Sequence, residues 1–280
     1  MKGVISKQME VYKDYLKMLS QGHTFSVLCY SAGGLGKTYT TIKILKSLNL
    51  KYSYINGVAT AVELYKALYD NRDKILIIDD VETMFQDDRI INLLKAALWE
   101  ADGKREIAYR TSSTVLDYYP ESFEYTGKII ILANEIKGRF DESQKALLSR
   151  CLTYELIYSF DEIINISQTI VDKEKTLNTV QKKKVKQILK EHIKPQHNFN
   201  FRLLNRLMSF VRYDFVKAEG LFLNSINVDE EVEILNRLLS SGQSVTQQIE
   251  EYKKETGNSK ATFFRKKKAM IRKKVLSVNK

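Results

Sequence analysis

Two hydrophobic patterns divide this chain. Up to about residue 159, short apolar runs alternate with amphipathic stretches. "TFSVLCYS" (24–31) is an apolar run that stops at a cluster of glycines, which predicts a buried strand. "KTYTTIKILKSLNL" follows as a helix with Ile42, Ile44 and Leu45 on one face. "KYSYIN" predicts a second strand, and "TAVELYKALYDN" a helix that starts at Thr60. "KILIIDD" (74–80) is a third strand, apolar until its acidic end, and "IINLLKAALWE" another helix. "GKIIILAN" (127–134) and "LTYELIY" (152–158) predict the fourth and fifth strands, and residues 1–20 a lead-in helix. Strands alternating with helices imply an α/β fold whose parallel sheet is covered on both faces. Beyond 159 the patterns are helical only, with a new block near Asp229. The expected domains are therefore 1–159, a helical region 160–225, and a small helical domain 226–280.

Composition narrows the setting. With 280 residues, 44% of them hydrophobic, the chain can bury one large core and one or two small ones. No run of eighteen apolar residues predicts a membrane span. The first residues are amphipathic and contain acids, unlike the apolar block of a signal peptide. Cys29 and Cys151 lie in or beside apolar stretches and read as core residues in a reducing cytoplasm, the expected location. The three histidines are scattered and no Cys/His spacing suggests a metal site. The net charge is +11, and residues 248–280 alone carry a net +8. That concentration points to a polyanion as partner.

The candidate chemistry begins at "SAGGLGKT" (31–38). A loop whose backbone N–H groups point at phosphate oxygens needs small residues, here Gly33, Gly34 and Gly36. Lys37 is placed to reach the β- and γ-phosphates of ATP, Thr38 to hold Mg²⁺, and the helix behind them to present its N-terminal dipole. Ser31 stands where such loops begin with glycine, so a positive φ there would strain the loop. The apolar strand "ILIIDD" ends in two carboxylates beside this loop. Asp79 is expected at the Mg²⁺ site and Asp80 at the attacking water, with Glu82 as the second choice for that water.

With these motifs the chain resembles the AAA+ ATPases. "IIILANE" is similar to the family's sensor-1 strand, which implies that Asn134 touches the γ-phosphate or its water. "ALLSRC" is similar to the segment bearing the arginine finger, which implies that role for Arg150, with Arg139 as the alternative. "FNFRLLNRLM" is similar to the lid helix with its sensor-2 arginine, here Arg202. An arginine finger acts on the neighbouring subunit's nucleotide, so the resemblance implies a homo-oligomer arranged as a ring.

Two further segments bear on what the energy does. "ADGKREIAYRTSS" suggests a turn or hairpin that projects Lys104, Arg105 and Arg110. An insertion just before the sensor-1 strand resembles the pore hairpin of superfamily 3 helicases from viruses and plasmids, which implies contact with a DNA strand. The C-terminal "SVTQQIEEYKKETGNSKATFFRKKKAMIRKK" reads as a helix-turn-helix. Ser259 can cap its second helix, with Phe263, Phe264 and Ile271 inward and Lys260, Arg265, Lys267 and Lys268 outward towards duplex DNA. Three functions fit: an ATP-driven replication motor or helicase, an ATP-dependent DNA-binding switch such as an origin binder, helicase loader or transposition regulator, and a transcription regulator.

Overall fold

The computed structural model describes residues 7–57, 60–80, 87–100, 102–110, 116, 118–134, 142–194, 197–226 and 230–278. Glu82 and Arg139 lie outside the described residues. The chain forms two compact units, residues 1–156 and 157–280.

The first unit opens with helix α1 (Lys7–Ser20), then β1 (Ser26–Ser31), α2 (Lys37–Ser47), β2 (Tyr52–Asn56), α3 (Ala61–Asp70), β3 (Ile75–Asp79) and α4 (Asp88–Leu98). It continues with two short strands, β4 (Glu106–Ala108) and β5 (Ser122–Glu124), then β6 (Lys128–Asn134), α5 (Glu142–Leu148) and β7 (Leu152–Glu155). Five strands form one sheet in the order β2-β3-β6-β1-β7, and every pairing is parallel. The α/β class and the five-stranded parallel sheet flanked by helices are as the sequence predicts. All five residues of β3 are buried, as are Ile129 to Ala133 of β6, because both strands are covered on two faces. Strand β6 lies between β1 and β3, with Ser31 level with Asn134 and Asp79 level with Leu132. That order brings the glycine loop, the acidic end of β3 and Asn134 to the same edge of the sheet.

Local sequence explains the element ends. Thr60 caps α3 in a reciprocal box with Glu63, as its position before an apolar periodic run predicts. Strand β7 is shorter than predicted, because its partner β1 ends at Ser31 and its last paired residue, Glu155, lies level with Tyr30. Helix α1 is fastened to the sheet unit through the fully buried Tyr12. Its ring stacks on Tyr154 at 5.0 Å, and its hydroxyl lies 2.6 Å from Thr41 Oγ1.

The insertion before β6 differs from the expected projecting hairpin. A turn does form at Asp102 and Gly103, both with positive φ. The strand that leaves it, β4, pairs antiparallel with β5, and Ile107 and Phe123 are buried in the main core. Arg105 does not project. It is 6% exposed, donates to the carbonyls of Ala97 (2.9 Å) and Gly127 (2.8 Å), and lies over the ring of Phe25 at 4.0 Å. Its guanidinium has five donors, and two of its nitrogens are used on these backbone carbonyls. Burial holds its pKa below the ordinary arginine value. Lys104 is exposed, and exposed Arg110 pairs with Glu121.

The second unit is helical: α6 (Phe160–Lys173), α7 (Thr179–His192), α8 (Phe201–Tyr213), α9 (Ala218–Leu223), α10 (Glu230–Ser240), α11 (Val245–Thr256) and α12 (Lys260–Val278). Helices α6 to α9 share a core around Val171, Ile188, Leu207 and Phe222. Helices α10 to α12 have a separate core of Leu235, Leu238, Ile249, Tyr252 and Phe263. Gly257 ends α11 in the left-handed conformation, and Ser259 Oγ accepts from Thr262 N at the start of α12. Phe263 is buried as predicted, but Phe264 is 43% exposed. Consecutive helical residues point about 100° apart, so both rings cannot face one small core. The side chain of Ile271 lies outside the described residues. None of the helices among the described residues is long and apolar enough to cross a membrane.

Candidate nucleotide-binding site

The loop after β1 is shaped by glycine. Gly34 and Gly36 both have φ of 79°, a conformation that L side chains rarely adopt, and Gly36 is the N-cap of α2. Gly33 lies in the same loop. Ser31 carries no positive φ, because it is the last residue of β1 and has extended backbone. The strain a glycine would relieve at that position does not arise. Ser31 is instead part of the site: its Oγ donates to Ala32 O at 2.8 Å and accepts from Lys37 Nζ at 3.1 Å.

Lys37 is the centre of the arrangement. It is only 7% exposed, and its ammonium also donates to Ser31 O at 3.2 Å and to Asn134 Oδ1 at 3.0 Å. Thr38, the next residue of α2, donates from Oγ1 to Asp79 Oδ2 at 2.5 Å. The other Asp79 oxygen accepts from the Asp80 backbone N–H at 3.0 Å. Asp80 has φ of 55°, which aspartate tolerates better than most residues. That turn lets the exposed Asp80 carboxylate accept from Asn134 Nδ2 at 3.4 Å. The carboxamide of Asn134 thus joins the loop lysine to the second acid of β3. The structure brings together Ser31, Lys37, Thr38, Asp79, Asp80 and Asn134, all singled out from sequence.

One member of the cluster escaped sequence reasoning. Tyr54 of β2 donates its hydroxyl to Asp79 Oδ2 at 3.0 Å. Partial loss of solvent around the hydroxyl and the adjacent Asp79 carboxylate push its pKa up to about 12, although the side chain is 41% exposed. The only signal in the sequence was a tyrosine near the C-terminal end of the second predicted strand; that this strand lies beside the acidic one is seen in the sheet order.

The remaining candidates lie elsewhere. Arg150 precedes β7, and its backbone carbonyl accepts from Ser26 Oγ at 3.1 Å. Ser26 begins β1 and Ser31 ends it, so Arg150 is near the opposite edge of the sheet, about 17 Å along the strand from the loop. Its guanidinium donates to Ala146 O and lies over the exposed Trp99 ring at 5.1 Å. Together with Phe25, Leu98, Glu100 and Ser149 these two side chains line a cavity of about 380 Å³. Arg202 is exposed in the first turn of α8, where Asn200 Oδ1 caps its backbone N–H. On α12, Lys260, Arg265 and Lys268 are exposed, while Lys267 is half-buried with its ammonium over the Phe263 ring.

The donor set fits a magnesium nucleotide. Thr38 and Asp79 offer hard oxygen ligands, and the loop glycines leave room for phosphates next to a buried ammonium. Fold and site together define a P-loop α/β domain followed by a helical region. The chain is 32% identical over 180 residues to an uncharacterized 36.7 kDa protein in the nrdC-mobD intergenic region of Enterobacteria phage T4. That match covers 59% of this chain and 55% of the phage protein, so the chain spans about half the length of this relative. Among solved structures, the Thermotoga maritima RuvB Holliday junction branch migration motor aligns with a TM-score of 0.49 and 15% identity, over 84% of this chain and 76% of that one. No family model matches the sequence.

Proposed function

We propose that this chain is an AAA+ ATPase that spends ATP hydrolysis on DNA during replication of a phage or related mobile genome, in the cytoplasm of the host cell. The observation that carries the reading is the connected set Lys37, Asn134 and Asp80, beside Thr38 and Asp79. Lys37 would bind the β- and γ-phosphates, Asn134 would sense the γ-phosphate, and Asp80 would orient the attacking water. Mg²⁺ held by Thr38 and Asp79 would supply positive charge to the phosphate oxygens. Arg150 is too far from its own loop to serve it, which supports a finger role on a neighbouring subunit and hence a ring. Helices α6 to α9 would form the lid, with Arg202 as its sensor, and α10 to α12 a helix-turn-helix that binds duplex DNA. The phage relative supports a mobile-genome setting.

Within this reading, a superfamily 3 motor is supported by the insertion before β6, where exposed Lys104 could meet a DNA strand. The burial of Arg105 favours a second reading, an ATP-dependent DNA-binding switch, because the insertion then offers less basic surface to a pore. A forked duplex with ATP separates them. The motor displaces the strand, with hydrolysis stimulated by DNA. The switch hydrolyses ATP and releases DNA without displacement. Neither reading survives if no hydrolysis occurs with or without DNA.

A further inference from the structure

Helix α12 presents two parallel rows of exposed side chains. Lys260, Phe264 and Lys268 follow one another at four-residue spacing, and Ala261, Arg265 and Ala269 form the row beside them. All six are exposed, whereas Thr262, Phe263, Lys266 and Lys267 of the same stretch are buried or half-buried. Lys266 is turned away from the face by its ion pair with Glu231. The face therefore has a phenylalanine between two lysines and beside an arginine, with small alanines next to it.

A phenyl ring there is unusual chemistry for a merely solvated basic helix. Phe264 is also held in place: its ring packs edge-on against the fully buried Phe263 at 5.4 Å, with an interplanar angle of 84°. An aromatic ring fixed on the core side and open on the other is prepared to bury its free surface against a partner. The surrounding cations require that partner to be anionic, and the alanines permit close approach. A DNA major groove meets these conditions: phosphates line its edges, and thymine methyl groups are the apolar feature of its floor.

We propose that Phe264 reads thymine methyl groups in the major groove while Lys260, Arg265 and Lys268 hold the flanking phosphates. This deepens, and rests on, the reading of α10 to α12 as a duplex-binding domain. Phosphate contacts carry no sequence information, so Phe264 would give the face a preference for A·T steps.

The test uses the full chain and two duplexes, one of alternating A·T pairs and one in which deoxyuridine replaces thymidine. The two differ only by the C5 methyl groups. Wild type is expected to bind the thymidine duplex more tightly by about fourfold for each methyl that Phe264 covers. Phe264→Ala should bring that ratio to one and leave the salt dependence unchanged. Phe264→Leu should retain part of the ratio. Replacing Lys260 and Arg265 by alanine should keep the ratio and lower the log–log salt slope by about 0.9 for each phosphate no longer neutralised. A wild-type ratio of one, a ratio that survives Phe264→Ala, or tighter binding to single strands than to either duplex would overturn the proposal. If wild type shows no salt-dependent affinity for any duplex, the duplex-binding reading itself fails, and this inference falls with it.

Discussion

Tyr54 donates its hydroxyl to Asp79 Oδ2 at 3.0 Å, on the same oxygen that accepts from Thr38 Oγ1 at 2.5 Å. With the Asp80 N–H on the other oxygen, the carboxylate is held from three sides. A carboxylate fixed in this way cannot swing away from the threonine hydroxyl beside which Mg²⁺ would sit. Tyr54→Phe keeps the ring and removes only this donor. A hydrogen bond to a charged group contributes about 1.5–3 kcal/mol when shielded and less at a partly exposed position such as this. The expected result is a rise of about fivefold in the dissociation constant for Mg²⁺-nucleotide, corresponding to about 1 kcal/mol. Affinity for nucleotide without Mg²⁺ should not change. Titration of a fluorescent ATP analogue with and without Mg²⁺ checks this, and equal losses in both conditions would show that Tyr54 does not act through Asp79.

Arg105 is a structural residue, and its loss should register as instability. Arg105→Met leaves the carbonyls of Ala97 and Gly127 without their guanidinium donors, at a cost of about 1–3 kcal/mol for each group that water cannot reach. The same region should be sensitive to Gly127→Ala, whose Cβ would lie 2.7 Å from Lys74 O and 2.9 Å from Asn71 O, both backbone atoms. Thermal unfolding should show a clearly lower midpoint for each variant. Lys104→Ala, at an exposed position, should leave the midpoint unchanged. A wild-type midpoint for Arg105→Met would contradict the buried role.

Arg150 and the loop lysine belong to opposite edges of one sheet, so the proposed finger role has Arg150 act on a neighbouring chain. Arg150→Ala should keep ATP affinity and lose turnover by about 10³-fold or more, the scale of an arginine finger. Mixing Arg150→Ala with Asp80→Asn subunits should restore part of the hydrolysis, since some interfaces then have both groups intact. Steady-state phosphate release from the mixed and separate proteins measures it. Normal hydrolysis by dilute monomeric Arg150→Ala protein would exclude the finger role.

Much of the site was legible in sequence because it depends on local rules. The glycine loop, the apolar strand ending in Asp79 and Asp80, and the strand ending in Asn134 each show within a few residues. What remained hidden depends on which elements become neighbours. Tyr54 reaches Asp79 only because β2 lies beside β3 in the sheet. Arg105 reads as a projecting cation until the end of α4 and the residue before β6 bring backbone carbonyls to its guanidinium. Phe263 and Phe264 are chemically identical in the sequence, and only the packing of α10 and α11 decides which ring is covered. Ser31 looked like a source of strain because the position is a glycine in similar loops, yet here it is still a strand residue.

The glycine loop and the acidic strand are expected to form one ATP-hydrolysing site. Nucleotide binding and phosphate release measured together on wild type, Lys37→Ala and Asp80→Asn test it most directly. Wild type should bind Mg²⁺-ATP and release phosphate. Lys37→Ala should lose binding, and Asp80→Asn should keep binding while turnover falls by about 10²–10⁴-fold, the range for losing a group that handles the attacking water's proton. Full ATPase activity in purified Lys37→Ala protein would show that this loop is not the hydrolytic site.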